Sequence, residues 1–222
     1  MTGDSAPAET VAFDGTRFFD RARAALNFEV PAALADVNAP SVRGDHENDP
    51  AVWELVGSLP SRQAAVLVPV VAREEPTVLL TLRSSRLPNH AGQVAFPGGK
   101  IEESDRSPLA AALREAEEEI GLTPNHVEPL GYLDLYLTVS GYRILPAVAR
   151  VEPGYALNLN PGEVDDAFEV PLEFLMRPEN HQRHSREWRG LMRSYYAMPF
   201  GERYIWGVTA GILRNLFERL YA

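Results

Sequence analysis

The chain has 222 residues, 45% hydrophobic and 23% charged, the balance of a folded globular protein and enough for one domain with an appended arm. Its formal net charge is −10 and no basic stripe is evident, which argues against a general nucleic-acid binder. With no cysteine, disulfides, thiolate nucleophiles and Cys-ligated zinc are excluded.

Residues 1–15 are small and polar, with neither a basic start nor an apolar core, so no secretory signal and little order are expected there. The longest apolar run, Ala64 to Ala72, contains Pro69 and is far short of a membrane span. A cytoplasmic location is therefore expected, without membrane or nucleic-acid partners. Phe18, Phe19, Ala22, Ala25 and Leu26 recur at helical spacing after Thr16, predicting a helix that stops by Pro31. Residues 31–48 read as loop. Asp49-Pro50 is a cap and first-position pair for a short helix ending at Gly57. Residues 1–62 thus form an N-terminal arm, either scaffold or a dimerisation element, ahead of a main domain over 63–222. A monomer and a homodimer both remain open.

In the main domain, Ala64–Val71 is an apolar β-rich run, and Val78, Leu80 and Leu82 alternate within Thr77–Arg83. Val94–Phe96 is a short strand before the turn at Gly98-Gly99. A helix is predicted from Leu109 to Ile120, with Ser107-Pro108 as cap and first position and Gly121 as stop. Glu128–Leu137 and Tyr142–Val151 read as strands joined by a hairpin at Thr138–Gly141. Phe168–Val170 is a further strand before Pro171, which opens a helical turn through Met176. Trp188 to Phe200 suggests one or two strands broken near Gly190. Val208 to Tyr221 is amphipathic, with Ile212, Leu213, Leu216, Phe217 and Leu220 on one stripe.

The chemistry concentrates between Gly98 and Leu122. On the predicted helix, Glu115, Glu118 and Glu119 stand at i, i+3 and i+4 and share a face, whereas Glu117 points away. Two carboxylates ~6 Å apart repel by roughly 3 kcal/mol at an effective dielectric of ~20. They also crowd the last turns, where the helix dipole favours cations. An EAEEE run can be a solvated face. Here, however, it follows a glycine pair that marks close backbone approach, and grouped hard oxygen ligands suit Mg²⁺ or Mn²⁺.

At these residues the segment resembles the Nudix box. Arg114-Glu115-Ala116-Glu117-Glu118-Glu119-Ile120-Gly121-Leu122 fills the second half of that pattern. The first half departs from it: Asp105 stands where the pattern has Glu, and eight residues rather than seven separate it from Arg114. Upstream, Leu79–Ser85, Leu87, His90, Gly92-Gln93 and Phe96-Pro97-Gly98-Gly99 resemble the coenzyme A pyrophosphatase branch of the family, and Trp206-Gly207-Val208-Thr209-Ala210 is similar to the opening of that branch's last helix. The resemblance implies an α/β/α sandwich around a mixed sheet. It also implies metal-dependent hydrolysis of the diphosphate of coenzyme A or its thioesters, giving adenosine 3′,5′-bisphosphate and 4′-phosphopantetheine or its acyl form.

The metal ligands would be Glu115, Glu118 and Glu119 with a Gly98 or Gly99 carbonyl. Arg114 would orient the carboxylates with Asp105 as its partner. The catalytic base would be a cluster glutamate or Glu163, from a late loop. Arg83, Arg86, His90 and Gln93 would recognise coenzyme A, the loop from Arg83 to His90 reading its 3′-phosphate. Other nucleoside-diphosphate substrates, such as nucleoside triphosphates, ADP-ribose or dinucleotides, and a silent ligand-sensing domain are the alternatives. His181 and His184 have zinc-like spacing without further ligands and read as a surface pair. Trp188, Tyr195 and Tyr196 could stack on adenine, although strand aromatics more often belong to the core.

Overall fold

The computed structural model describes residues 15–39, 43–45, 61–188 and 191–222. The readings for 1–14 and for the helix at 49–57 lie outside them. The elements in order are α1 (Gly15–Ala25), β1 (Arg43–Gly44), β2 (Arg62–Val71), β3 (Thr77–Arg83), β4 (Val94–Ala95), β5 (Gly98–Lys100) and α2 (Pro108–Ile120). There follow β6 (Val127–Tyr132), β7 (Tyr136–Leu137), β8 (Tyr142–Val151), β9 (Val164–Pro171), α3 (Leu172–Met176), β10 (Gln182–Trp188), β11 (Leu191–Phe200), β12 (Arg203–Trp206) and α4 (Val208–Tyr221).

β2 is the axis of a nine-stranded mixed sheet. It runs parallel to β8 over its whole length and antiparallel to β3 and β5. β9 lies along β3, while β6 and β7 lie along β8. Both faces of the sheet are covered, which is why β2 reads as a nearly continuous apolar run rather than an alternation. Ala65, Leu67 and Val71 pack with Ala111, Ala112, Ala116 and Ile120 of α2. The alternate residues Val68 and Val70 pack with Phe18 of α1 and Ile212, Leu213 and Leu216 of α4. The result is the expected α/β/α sandwich, with the arm helix built into one layer. No helix among the described residues is long and apolar enough to cross a membrane.

Several elements differ in detail from the sequence expectation. The stretch from 128 to 137 is two strands, interrupted at Leu133–Leu135. Phe168–Val170 lies in the second half of the longer β9, which begins at Val164. Gly98–Lys100 is a strand rather than a plain turn: Gly98 and Gly99 pair with Val66 and Ala65. The region read as loop after Pro31 holds a 3₁₀ turn, Ala32–Leu34, and β1. β12 forms a separate three-stranded sheet with β10 and β11, and the last helix begins at Val208 as expected, after Gly207 at φ 62°.

The surface reading of His181 is corrected. His181 is 8% exposed and lies edge-on to Phe217. Its Nε2–H donates to the Leu175 carbonyl at 2.7 Å, which leaves Nδ1 to accept from Arg214 at 3.3 Å. Burial lowers its pKa, so it is a satisfied structural histidine. His184 instead stacks on Tyr195. Tyr195 meets Trp206 edge-on and Tyr196 packs against the core, while the side chain of Trp188 lies outside the described residues.

Candidate active site

α2 starts and stops where its sequence dictates. Ser107 accepts from the Ala110 amide at 3.1 Å, Pro108 occupies the first turn, and Gly121 closes the helix at φ 72°. The final carbonyls do not wait for solvent. Asn158 N donates to Ile120 O and Asn160 N to Glu119 O, both at 2.9 Å. The loop before β9 is thereby stitched to the end of the helix that carries the acids. Within it, Glu163 N donates to Asn160 O at 3.0 Å, and Ser84 N donates to Glu163 O at 2.8 Å.

This stitching decides which carboxylates meet. Glu115, Glu119 and Glu163 place carboxylate oxygens within 4.8 Å of one another. Glu118 stands beside that group rather than in it. Adjacent helical residues are about 100° apart, so when Glu119 turns toward the sheet, Glu118 turns toward solvent. Its side chain is 56% exposed and accepts from Arg114 Nη1 at 3.0 Å. Glu117 is also exposed.

The glycines make room for the group. Gly98 lies at φ 151°, and a Cβ there would sit 2.5 Å from the Ala65 carbonyl oxygen. A Cβ on Gly99 would lie 2.4 Å from the Glu115 carboxyl. The Glu115 carboxylate therefore rests on the face of a residue that has no side chain. Gly98 N donates to Glu119 Oε2 at 3.1 Å.

Charge is handled by two arginines. Arg114 donates a fork to Asp105, at 3.1 and 3.0 Å, and reaches Glu115 Oε1 and Glu118 Oε2 at 3.0 Å each and the Lys100 carbonyl at 3.1 Å. The guanidinium holds Asp105 below the ordinary carboxylate range and is itself held firmly charged. Burial pushes Glu115 upward and Glu119 to about 7, against the ordinary 4.5. Arg83 Nη1 stands 4.0 Å from Glu119 Oε1, and its buried Nε has no hydrogen-bond partner. Three converging carboxylates with Glu119 buried among them, a glycine-lined floor and a spare guanidinium N–H fit a hard divalent cation and a polyanion.

The remaining predicted residues form the facing loop. Arg86 donates to the Pro161 carbonyl and approaches Ser84 Oγ at 3.5 Å. His90 takes a left-handed conformation, φ 57°, and its Nδ1–H donates to Gln93 Oε1 at 2.9 Å. Two contributors escaped sequence reading. Asn160 holds the Glu163 loop through its backbone and its side chain, and the Asn-Pro-Gly turn signal was its only trace. Buried Ser84 stood within the upstream signature, with no role assigned to it.

A family model for the NUDIX domain matches residues 61–189. The uncharacterized Nudix hydrolase NudL of Citrobacter koseri is 43% identical over 159 residues, covering 72% of this chain and 83% of the relative. The Escherichia coli protein of that name is 42% identical over the same length and coverage. Among solved structures, the MutT protein from Methanosarcina mazei is 23% identical, with 54% of this chain and 83% of that one covered and a TM-score of 0.43. The model spans more than half of the residues and includes the whole carboxylate helix with the glycine strand beneath it. The chain therefore belongs to the Nudix hydrolase family, whose members cleave diphosphate bonds.

Proposed function

We propose that the protein is a Mg²⁺- or Mn²⁺-dependent diphosphatase acting on coenzyme A or its thioesters. One observation carries the choice of substrate. The two sequence segments that resemble the coenzyme A branch, around residues 79–99 and 206–210, meet in space: Thr209 Oγ1 donates to the Val94 carbonyl at 2.9 Å, just before the glycine strand. Residues far apart in the chain are thus joined at β4, the strand that leads into the glycine pair.

Glu115 and Glu119 with a Gly98 or Gly99 carbonyl would hold the cation, and Glu118 at the rim would be a further ligand. When bound, the cation would neutralise diphosphate oxygens and lower the pKa of water. Arg114 keeps the carboxylates in register, since its fork to Asp105 fixes the guanidinium that Glu115 and Glu118 share. Arg83, standing at Glu119 with an N–H to spare, donates to the diphosphate. Arg86, His90 and Gln93 line the approach, and Arg86 is the candidate for the 3′-phosphate. Glu163 takes the proton from the attacking water as its oxygen joins phosphorus and the bridging P–O bond breaks, the leaving phosphate departing as the anion.

Incubation of the protein with coenzyme A and Mg²⁺ in ¹⁸O-water tests this reading, with product masses as the readout. Adenosine 3′,5′-bisphosphate and 4′-phosphopantetheine, one of them carrying a single ¹⁸O, are expected. A parallel panel of ADP-ribose, dinucleotides and nucleoside triphosphates supplies the refutation: faster turnover of any of these than of coenzyme A assigns the site to that substrate.

A further inference from the structure

A second concavity lies across the loop that leads into α2. A cavity of about 440 Å³ opens there, with Val30, Pro31 and Leu34 on the arm side and Ile101, Arg106 and Pro108 on the loop side. That volume is within the ~300–1,000 Å³ of small-molecule sites. The arm wall is fixed rather than casual. Buried Arg143 donates to the carbonyls of Ala33 and Val37, which pins the 3₁₀ turn to β8. Around the mouth, large apolar side chains face water: Val30 is 45% exposed and Phe28 53%, the latter edge-on to Tyr132. Grouped exposed apolar residues beside a cavity mark a place for an apolar ligand.

The cavity is coupled to the carboxylate site by one side chain. Asp105 lines it and takes the fork of Arg114, and Arg114 in turn bonds Glu115. Ser107, also in the lining, precedes Glu115 by eight residues, about 12 Å along the helix axis.

Building on the coenzyme A reading above, we propose that this cavity receives the pantetheine chain and the acyl group of the substrate while the diphosphate rests at the carboxylates. The pantetheine chain is about as long as four residues of extended peptide, ~13 Å, which matches that offset. Its amides meet Gln63 and Arg106 at the rim, and the acyl carbons replace water against Val30, Ala32 and Ala35. Selectivity follows: a medium-chain thioester binds more tightly than free coenzyme A, because its added methylenes leave water.

Ala32 and Ala35 line the cavity from exposed positions, so A32W and A35W fill it from outside the core. In variants that melt like wild type, KM for octanoyl-coenzyme A should rise at least tenfold while kcat stays within twofold. An unchanged KM in both, with wild type cleaving coenzyme A, overturns the cavity assignment and leaves the substrate reading standing. Absence of turnover of coenzyme A and its thioesters by wild type overturns the substrate reading instead. A titration of metal-free wild type with S-octanoylpantetheine, followed by amide NMR, tests the cavity without turnover or mutation. Shifts confined to residues 30–35 and 101–108 support it, and shifts elsewhere or none overturn it.

Discussion

Glu119→Gln should stabilise the metal-free protein at pH 8 and leave it unchanged at pH 4. The Glu119 side chain is 5% exposed, and burial places its carboxyl near 7 rather than 4.5. The folded state therefore holds a proton that the unfolded chain releases. A carboxyl raised in this way contributes stability that is fully present below pH 4.5 and is lost as pH rises through about 7. The gap of about 2.5 pH units corresponds to about 3 kcal/mol at 1.36 kcal/mol per unit. Gln retains an oxygen for the Gly98 amide, but its NH₂ group loses the attraction of Arg83, so the net gain is about 2 kcal/mol. At this chain length that is a rise of about 4–8 °C in melting temperature. Urea unfolding with chelator at pH 4, 6 and 8 measures it. Superimposable curves for variant and wild type at pH 8, or a variant that is less stable there, would refute the argument that Glu119 is charged at a cost. Adding millimolar Mg²⁺ at pH 8 should then favour wild type over the variant, since binding to the native state raises stability by mass action.

Gly99→Ala should lower kcat by about 100-fold with circular dichroism unchanged, because the new methyl would occupy the space of the Glu115 carboxyl. Activity within threefold of wild type would mean that Glu115 can move aside without consequence. Arg114→Lys should cost about 10–100-fold in kcat, since an ammonium cannot span Asp105, Glu115 and Glu118 together; full activity would reduce Arg114 to a surface cation. Glu163→Gln should lower kcat by about 100-fold and abolish the acidic limb of the pH–rate profile, and retention of that limb would move the base elsewhere. Glu115→Gln should cost more than Glu118→Gln, given that Glu118 faces solvent; the reverse order would put the metal at the rim.

Local signals were legible where a single residue type carries the geometry. Ser107, Pro108 and Gly121 bounded α2 within a residue of its observed span, and the apolar run Ala64–Val71 marked β2. The Arg114–Asp105 pair was also readable, from the family pattern. What remained hidden depended on distant partners. Helical spacing put three glutamates on one face, but the sheet and the 158–163 loop selected Glu115 and Glu119 and brought Glu163 in beside them. β12 went unread because four residues, Arg203–Trp206, show no period of their own and gain strand geometry only by pairing with β11. His181 looked like a surface residue because its two partners, Leu175 and Arg214, lie in other elements.

The amides of Asn158 and Asn160 that close the end of α2 also set how the site can come apart. Among the described residues they are the backbone hydrogen bonds that link the last turn of the helix to the loop behind it, so fraying of that turn releases Glu163 from Glu119 while the sheet stays intact. Partial opening of this kind needs less free energy than global unfolding. Hydrogen exchange at those two amides therefore follows the integrity of the acid group, on a scale separate from the exchange of the β2–β8 core.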